Sequence, residues 1–452
     1  MRGRLTPACM VKRPRGTRDF TSAQMKRRLH LEGILENIAS RHGFNRVQTP
    51  IFESLDLFTA KSGAGIVSQL YSFDDKGGRP LTLRPELTAP VMRMVSEEMR
   101  NEPKPLRLSY YGQCFRYEEF KRGRYREFFQ YGLELIGASG PLADAEVVAT
   151  AIEMLHASGL KDWELRIGHV GILHDVLSGM GLSSEGEPES PIASAMRLLD
   201  KRDWDGLEKL FSEQGITKDI SGLQQLSNLD GGAETLPQAE AIISELGISS
   251  EAISDMSTML DALGLLASGP PSLKVNFTVA RGLDYYTGMV FEVMVDELGG
   301  EGQVLGGGTY RLMHLFNQPD LDPCCGFGLG FDRVLLALEL QAEAEGRDEV
   351  VPGDSAGRID AVMIPFKVDA ANVLPIVKHL RDSGMRVEIE LRSRNIGKSM
   401  GWADSLNSKF ALIVGPNDLE AGKCSIRRLS DGQQSEASLD GASVLGQLAT
   451  LS

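Results

Sequence analysis

Four stretches of this 452-residue chain carry residue types whose spacing could do chemistry. The first runs from Phe115 to Glu134, where Arg116, Lys121, Arg122, Arg124 and Arg126 separate two stretches of strand-like character. A guanidinium is a planar fork that matches phosphate oxygens. It is rigid at a strand end and can close over a polyphosphate from a loop. On the returning stretch Phe128, Gln130, Gly132 and Glu134 alternate, so Gln130 and Glu134 point to one face. A charge run is ordinarily a solvated hairpin tip, but a strand face bearing an amide and a carboxylate must look at something polar. The second stretch is Leu83 to Pro90 (LRPELTAP), where Glu86 and Thr88 precede a helix and serve either as its cap or as ligand-binding groups. The third is Ala280 to Glu292 (ARGLDYYTGMVFE). Its Tyr285-Tyr286 pair offers flat faces and hydroxyls suited to an aromatic ligand with polar nitrogens, or packs as a core pair. The fourth, Gly326 to Arg333, has the spacing G-x-G-x-G without a βαβ context, so it is not a dinucleotide fingerprint. A glycine strand running into a helix that bears Arg333 instead lets a nucleotide lie against backbone.

These groups need elements to hold them. Leu31, Ile34, Leu35 and Ile38 recur at helical spacing and predict a helix over 22–41, stopped at His42-Gly43. Arg46 to Phe52 reads as a strand with Pro50 at an edge or end. Short strands are expected at 71–73 and 80–83, a helix from Thr88, strands at 106–115 and 127–135, a helix at 142–158 and a strand at 164–169. Strands return at 274–279 and 289–295. Gly306-Gly307-Gly308 reads as a close backbone turn, and Gly326 to Gly330 leads into a helix near Asp332.

The character changes between Ser183 and Ser268, an acidic helical segment entered through SSEGEPESP and left through Ser268-Gly269-Pro270-Pro271, as an inserted subdomain would be. Residues 341–357 read as a polar linker. Beyond it the strands 361–364, 387–391 and 411–414 alternate with helices, which predicts a small α/β domain with a largely parallel core. The expected division is 1–182 and 269–340 for the main domain, 183–268 for the insertion, 341–357 for the linker and 358–452 for the last domain.

Composition bounds the function. A net charge of −14 argues against a protein that coats nucleic acid through a global basic field, and leaves room for local basic patches. Five cysteines with no C-x-x-C pair and no H-E-x-x-H motif speak against a disulfide framework and a protein-held zinc, so no metal ligands are assigned. No run of eighteen apolar residues predicts a membrane span, and Met1 to Met10 lacks an apolar signal core; a reducing cytoplasm fits best.

Taken together the motifs resemble those of class II aminoacyl-tRNA synthetases, and specifically the histidyl-tRNA synthetase family. The first helix with Thr49-Pro50 is similar to the dimer-forming first motif. Phe115-Arg116 with Tyr125-Arg126-Glu127-Phe128 is similar to the second, and Gly328 to Arg333 to the third. LRPELTAP, the GRYREF hairpin, RGLDYYTG and the opening RPRGTRDF narrow the likeness to the histidine enzymes, over nearly the whole chain. The resemblance implies an α+β fold: an antiparallel-sheet catalytic domain with a helical insertion, plus a C-terminal α/β anticodon-binding domain. It implies that Glu86, Thr88 and Gln130, with Leu87 between the first two, bind the α-amino end of L-histidine. Glu134, Tyr285, Tyr286 and Tyr310 would surround the imidazole. Arg116 and Arg281 would face the ATP α-phosphate as the catalytic pair, with Arg124, Tyr125 and Arg333 holding ATP. Mg2+ bound with ATP, tRNA(His) and a homodimer complete the expected partners. One departure stands out: the family follows its double glycine with Arg-Tyr-Asp-Gly-Leu, whereas here Gly307-Gly308 is followed by Thr309-Tyr310-Arg311-Leu312. In the last domain Arg392, Arg394, Lys398 and Lys409 form a candidate anticodon face or a merely solvated one, and Trp402 either stacks on a base or packs. The alternative function is a non-catalytic paralogue, a regulatory subunit or a sensor of uncharged tRNA.

Overall fold

The computed structural model describes residues 12–62, 64–118, 123–185, 190–278, 286–354 and 359–451. These divide into two compact units at Pro352/Gly353. Arg281 and Tyr285, with Lys121 and Arg122, lie outside the described residues.

The first unit begins with helix α1 (Ser22–Arg41), opened by a Thr21–Gln24 capping box. Leu31, Leu35 and Ile38 bury its apolar stripe, as the spacing predicts. Strands β1 (Asn45–Arg46) and β2 (Phe52–Ser54) follow, then α2 (Asp56–Ser62), β3 (Tyr71–Asp74), β4 (Pro80–Leu83) and α3 (Thr88–Glu98). The continuous strand expected over 46–52 does not form. Arg84 donates from Nη1 to the carbonyls of Thr49 and Pro50, at 2.9 and 3.1 Å, and this draws those acceptors away from any neighbouring strand. Pro50 has no N–H to offer a ladder in any case.

Strands β5 (Leu106–Phe115) and β6 (Glu127–Ile136) pair in register from Leu106↔Ile136 to Phe115↔Glu127. Helix α4 (Pro141–Ser158) packs against α1 and the sheet, and β7 (Trp163–His169) leads into α5 (Val170–Met180). Helices α6 (Pro191–Asp200), α7 (Trp204–Glu213), α8 (Ser221–Asn228), α9 (Leu236–Glu245) and α10 (Glu251–Leu266) occupy the acidic stretch. There Leu199, Leu207 and Phe211 are buried. Strands β8 (Ser272–Val275), β9 (Tyr286–Val295), β10 (Gln303–Tyr310) and β11 (Cys324–Gly330) then complete the sheet before α11 (Phe331–Ala344). Among the described residues the sheet has eight strands in the order β1-β5-β6-β11-β10-β9-β7-β8, antiparallel except at its edges.

Gly306 to Gly308 are not the expected turn but the middle of β10. A Cβ at Gly307 would run into the Phe327 and Phe291 side chains, so glycine is there for close strand approach and not for chain reversal. Helix α11 continues to Ala344, into the stretch read as linker.

The second unit holds β12 (Ala361–Pro365), α12 (Leu374–Asp382), β13 (Val387–Ile389), α13 (Ile396–Ser405) and β14 (Phe410–Val414), with β13-β12-β14 parallel as predicted. After the short α14 (Pro416–Glu420), an antiparallel hairpin of β15 (Lys423–Arg428) and β16 (Gln434–Ser438), which the sequence reading did not anticipate, extends the sheet before α15 (Gly441–Leu451). Trp402 packs against the apolar cluster around Val362 and Ala403, and Arg394 lies over its ring at 5.0 Å. Arg394 also pairs with Glu390 and Lys409 with Asp360, so the basic face is partly neutralised within the unit. No described helix is long and apolar enough to cross a membrane.

One ion cluster ties the first unit together. Arg28 of α1 is 2% exposed and donates to Asp332 at 2.5 Å, while Asp332 also accepts from the Phe129 amide at 2.8 Å. The Arg28 guanidinium lies over the rings of Phe20, Phe129 and Phe331. Removing one member of a buried pair typically costs about 3–5 kcal/mol, because the other charge stays buried. Arg18 also reaches Asp332, at 2.8 Å, which places Arg28→Ala at the lower end, about 3 kcal/mol in the urea unfolding of the first unit.

Candidate active site

Three rows of cross-strand partners run over one face of the sheet. In the first, Gly330 pairs with Gln130 and Gln130 with Gly112. In the second, Gly306 pairs with Gly328, Gly328 with Gly132 and Gly132 with Tyr110. In the third, Gly308 pairs with Gly326, Gly326 with Glu134 and Glu134 with Leu108. Glycine therefore floors the centre of the face. A Cβ at Gly328 would meet nothing nearer than the Gln130 amide at 3.6 Å, so the space above it is open.

Over this floor lies a cavity of about 380 Å³, a size ordinary for small-ligand sites. Glu86, Thr88, Gln130 and Tyr286 line it, together with Arg116, Arg124, Tyr125 and Arg333. The structure thus brings together eight of the residues singled out from sequence. Leu87 is instead buried in the apolar cluster beside Tyr110, and supplies packing under the α3 terminus. Glu134 and Tyr310 are each 1% exposed and sit one layer below the cavity lining.

Glu86 proves to be both cap and wall. Its carboxylate accepts from the Thr88 amide at 2.6 Å and the Ala89 amide at 3.2 Å, fixing it at the α3 N-terminus while it faces the cavity. Arg116 donates from Nε to the Pro85 carbonyl at 2.9 Å and its guanidinium packs 5.2 Å from the Phe128 ring centre. Its two terminal nitrogens make no hydrogen bond among the described residues. Arg124 pairs with Glu118 at 3.2 Å. Arg18 stacks on Tyr125 with its Cζ 3.4 Å from the ring centre. Gly16 (φ +85°) lets the N-terminal segment cross this hairpin, its carbonyl accepting from the Arg126 amide where a Cβ would strike the Arg126 side chain.

The buried polar centre is Glu134. Tyr110 donates to its Oε1 at 2.9 Å and Tyr310 donates to its Oε2. Gly132 makes this possible, because the Tyr110 ring lies where a Cβ at 132 would be. Burial lifts the Glu134 carboxyl to about 7, against the hydroxyls of Tyr310, Thr88 and Tyr110, which pull it down. The same burial, with Glu134 nearby, pushes the hydroxyls of Tyr110 and Tyr286 above the ordinary tyrosine range. Cys114, whose thiol donates to the Gln130 Oε1 at 3.2 Å, is pushed up to about 12 and stays a thiol.

Sequence reasoning missed Tyr110, Asp332 and Arg18. Tyr110 had a usable signal, since β5–β6 register places it opposite Gly132, between Gln130 and Glu134. Asp332 and Arg18 meet across the chain and had none.

An antiparallel sheet with a glycine floor, an arginine just past the first strand of its β5–β6 hairpin and another at the head of the helix after its last strand defines the catalytic core of a class II aminoacyl-tRNA synthetase. The histidyl-tRNA synthetase profile matches residues 16–334, and an anticodon binding domain profile matches residues 360–444. The histidine–tRNA ligase of Methanosarcina acetivorans is 41% identical over 433 residues, 95% of this chain and 97% of that protein. The histidyl-tRNA synthetase structure from S. aureus is 27% identical with a TM-score of 0.71, covering 96% of this chain and 99% of that one. The structure from a Nostoc species aligns with a TM-score of 0.79 over 98% of this chain and 99% of that one, at 21% identity, and shows the fold alone. This chain belongs to the histidyl-tRNA synthetase family.

The Glu134 environment gives a pH signature. A carboxyl raised in the folded state contributes stability below its unfolded value, and that contribution is lost as pH rises through the folded value. Between roughly pH 5 and 8, the ligand-free protein should lose about 3 kcal/mol relative to Glu134→Gln in urea unfolding. Parallel profiles for the two proteins would refute the raised carboxyl.

Proposed function

We propose that this chain is a histidine–tRNA ligase, which activates L-histidine with ATP and transfers it to the 3′ end of tRNA(His). The observation that carries the reading is the single cavity in which Glu86, Thr88, Gln130 and Tyr286 converge with Arg116 and Arg333. An amino acid and a nucleotide phosphate then have facing walls on one glycine floor. The near-full-length likeness to histidine–tRNA ligases supports it.

In the first step a carboxylate oxygen of histidine attacks the ATP α-phosphorus in line. The bond to the bridging oxygen breaks, and pyrophosphate leaves. In the second, the terminal ribose hydroxyl of tRNA attacks the acyl carbon and AMP leaves. The protein contributes position and fixed charge more than covalent chemistry. Glu86, held by two amides, and Gln130 accept from the α-ammonium, with Thr88 beside them. Each Glu134 oxygen accepts one tyrosine hydroxyl and keeps a second lone pair, which accepts the imidazole N–H. Tyr286 meets the other ring nitrogen, and Tyr285 takes the place beside it. Arg116 offers to the α-phosphate the terminal nitrogens that make no hydrogen bond among the described residues, and the family resemblance gives Arg281 the matching role. Arg333 clamps the nucleotide, and Arg124 and Tyr125 cover it. Among the described residues no three Asp, Glu, His or Cys side chains converge on a metal position, so Mg2+ is treated as part of the incoming ATP.

For the domains we keep the roles of the expected division, catalysis for 1–182 and 269–340, an insertion for 183–268 and anticodon reading for 358–452, while the expected linker 341–357 begins inside helix α11. Ile51, Phe52 and Phe73 are exposed on and beside the small β2-β4-β3 sheet and supply apolar surface for a homodimer. A cytoplasmic site suits these partners. The non-catalytic alternative is disfavoured by the match to an anticodon binding domain and by the intact arginine wall.

Histidine-dependent ATP–pyrophosphate exchange followed by tRNA(His) charging tests the reading. Folded protein that gives no exchange sinks it. Arg116→Ala should lower the exchange rate by about 10²–10³ with unchanged circular dichroism. A rate near wild type would remove Arg116 from its role.

A further inference from the structure

The stretch Thr309 to Leu312, where the sequence departs from its family's pattern, has a partner on the far side of the sheet. Thr309 donates to Asp144 Oδ1 at 2.5 Å, and both side chains are buried. Asp144 stands in the first turn of α4, with the buried Cys325 thiol close enough to it for each to influence the other's ionisation. Thr309 and Cys325 are direct partners across β10 and β11, so the carboxyl holds β10 through Thr309 at the level where β11 presents Cys325.

That level continues to Leu135, the residue next to Glu134 on β6. Successive strand residues face opposite sides, so Tyr310 and Gly326, which follow Thr309 and Cys325, look toward the cavity. Tyr310 donates to Glu134 Oε2. Gly326 is the cross-strand partner of Glu134 and leaves room for its carboxylate, which a Cβ there would strike. The β9 ladder gives Thr309 no such anchor. Gly308 pairs with Val290 and Tyr310 with Tyr286, so Thr309 stands opposite residues 287–289 in a bulged stretch. A bulge re-aims the side chains beside it and needs something else to hold them. Here the Thr309 side chain supplies that hold.

We propose that the Asp144–Thr309 hydrogen bond is a specificity-determining positioning pair, which sets from the back of the sheet where Tyr310 holds Glu134 for the substrate's side chain. The inference rests on the assignment of Glu134 to the imidazole. Neither residue lines the cavity, and the pair acts through the neighbouring Tyr310 on Glu134 alone, so its effect falls on recognition of the amino acid and not on ATP.

Thr309→Val keeps shape and removes the hydroxyl, and Thr309→Ser restores it. In histidine-dependent ATP–pyrophosphate exchange, Thr309→Val should raise the histidine KM about tenfold and leave the ATP KM within about twofold. Thr309→Ser should match wild type. Glu134→Gln should raise the histidine KM on its own, and adding Thr309→Val to it should cost nothing further, since both act through one carboxylate. If Glu134→Gln leaves the histidine KM unmoved, the assignment of Glu134 falls and the inference with it. If Glu134→Gln moves it while Thr309→Val does not, the inference alone is overturned. It is likewise overturned if Thr309→Val raises both KM values alike, or if the effects of the two substitutions add.

Discussion

A ligand can lie on the face of a β-sheet only where side chains withdraw from it. The row Gly306, Gly328, Gly132 meets that constraint across three neighbouring strands, and much of the site is arranged around it. Glycine in a strand interior forfeits packing and costs conformational entropy. The back of the sheet answers with bulk. Phe291 and Phe327 pack edge to face behind Gly307, and Asp144 of α4 holds β10 through Thr309. The front reuses the space in one place: the Tyr110 ring lies over Gly132 and carries its hydroxyl to Glu134. The same absence of a side chain thus serves the ligand in one position and a buried hydrogen bond in the next.

Charge is handled locally in a chain whose total is −14. Arg18 and Arg28 converge on Asp332, at the start of the helix that also bears Arg333. A carboxylate in a helix's first turn is favoured by the helix dipole, and here it also fixes the Phe129 amide of β6. The cluster ties α1 and the segment before it to β6 and α11, and the latter two border the cavity. Arg18 reaches one step further by stacking on Tyr125. The Tyr125 and Arg333 side of the cavity is therefore anchored by ion pairs, and the Glu134 side by buried tyrosine hydroxyls.

Most of the elements were legible because their periodicity is strong. Helix α1 begins and ends where the stripe of Leu31, Leu35 and Ile38 and its flanking signals place it, and β5 and β6 follow their alternation. The failures have physical causes. Residues 306–308 were read as a turn because glycine's freedom and glycine's smallness look alike in a sequence, and only the neighbours of Gly307 show which was needed. The strand expected over 46–52 broke on Arg84, whose side chain takes the carbonyls a ladder would use. The Asp332 cluster joins residues more than 300 positions apart, and no local pattern encodes it. Trp402 could not be assigned until Arg394 was seen above its ring. The cavity walls were readable because each motif is short and self-contained, whereas the shell that orients them was not.

The height of the Glu134 carboxyl bears on what the site can select. A group at about 7 facing a free imidazole near 6.5 would share a single proton between them around neutrality. Neutral acid with neutral ring, or carboxylate with imidazolium, carry the same total charge, so the pair can form without the site paying for a second buried charge. If Glu134 and Tyr286 receive the side chain as proposed, an aliphatic or phenyl group would offer them no polar atom in exchange for the imidazole nitrogens, which is the kind of mismatch that rejects a substrate strongly. A lysine or arginine brings a charge that does not neutralise itself in the same way. Selection then depends on two hydrogen bonds in fixed directions more than on net charge. That makes the aim of Glu134, and of the tyrosines holding it, the quantity the surrounding sheet has to keep constant.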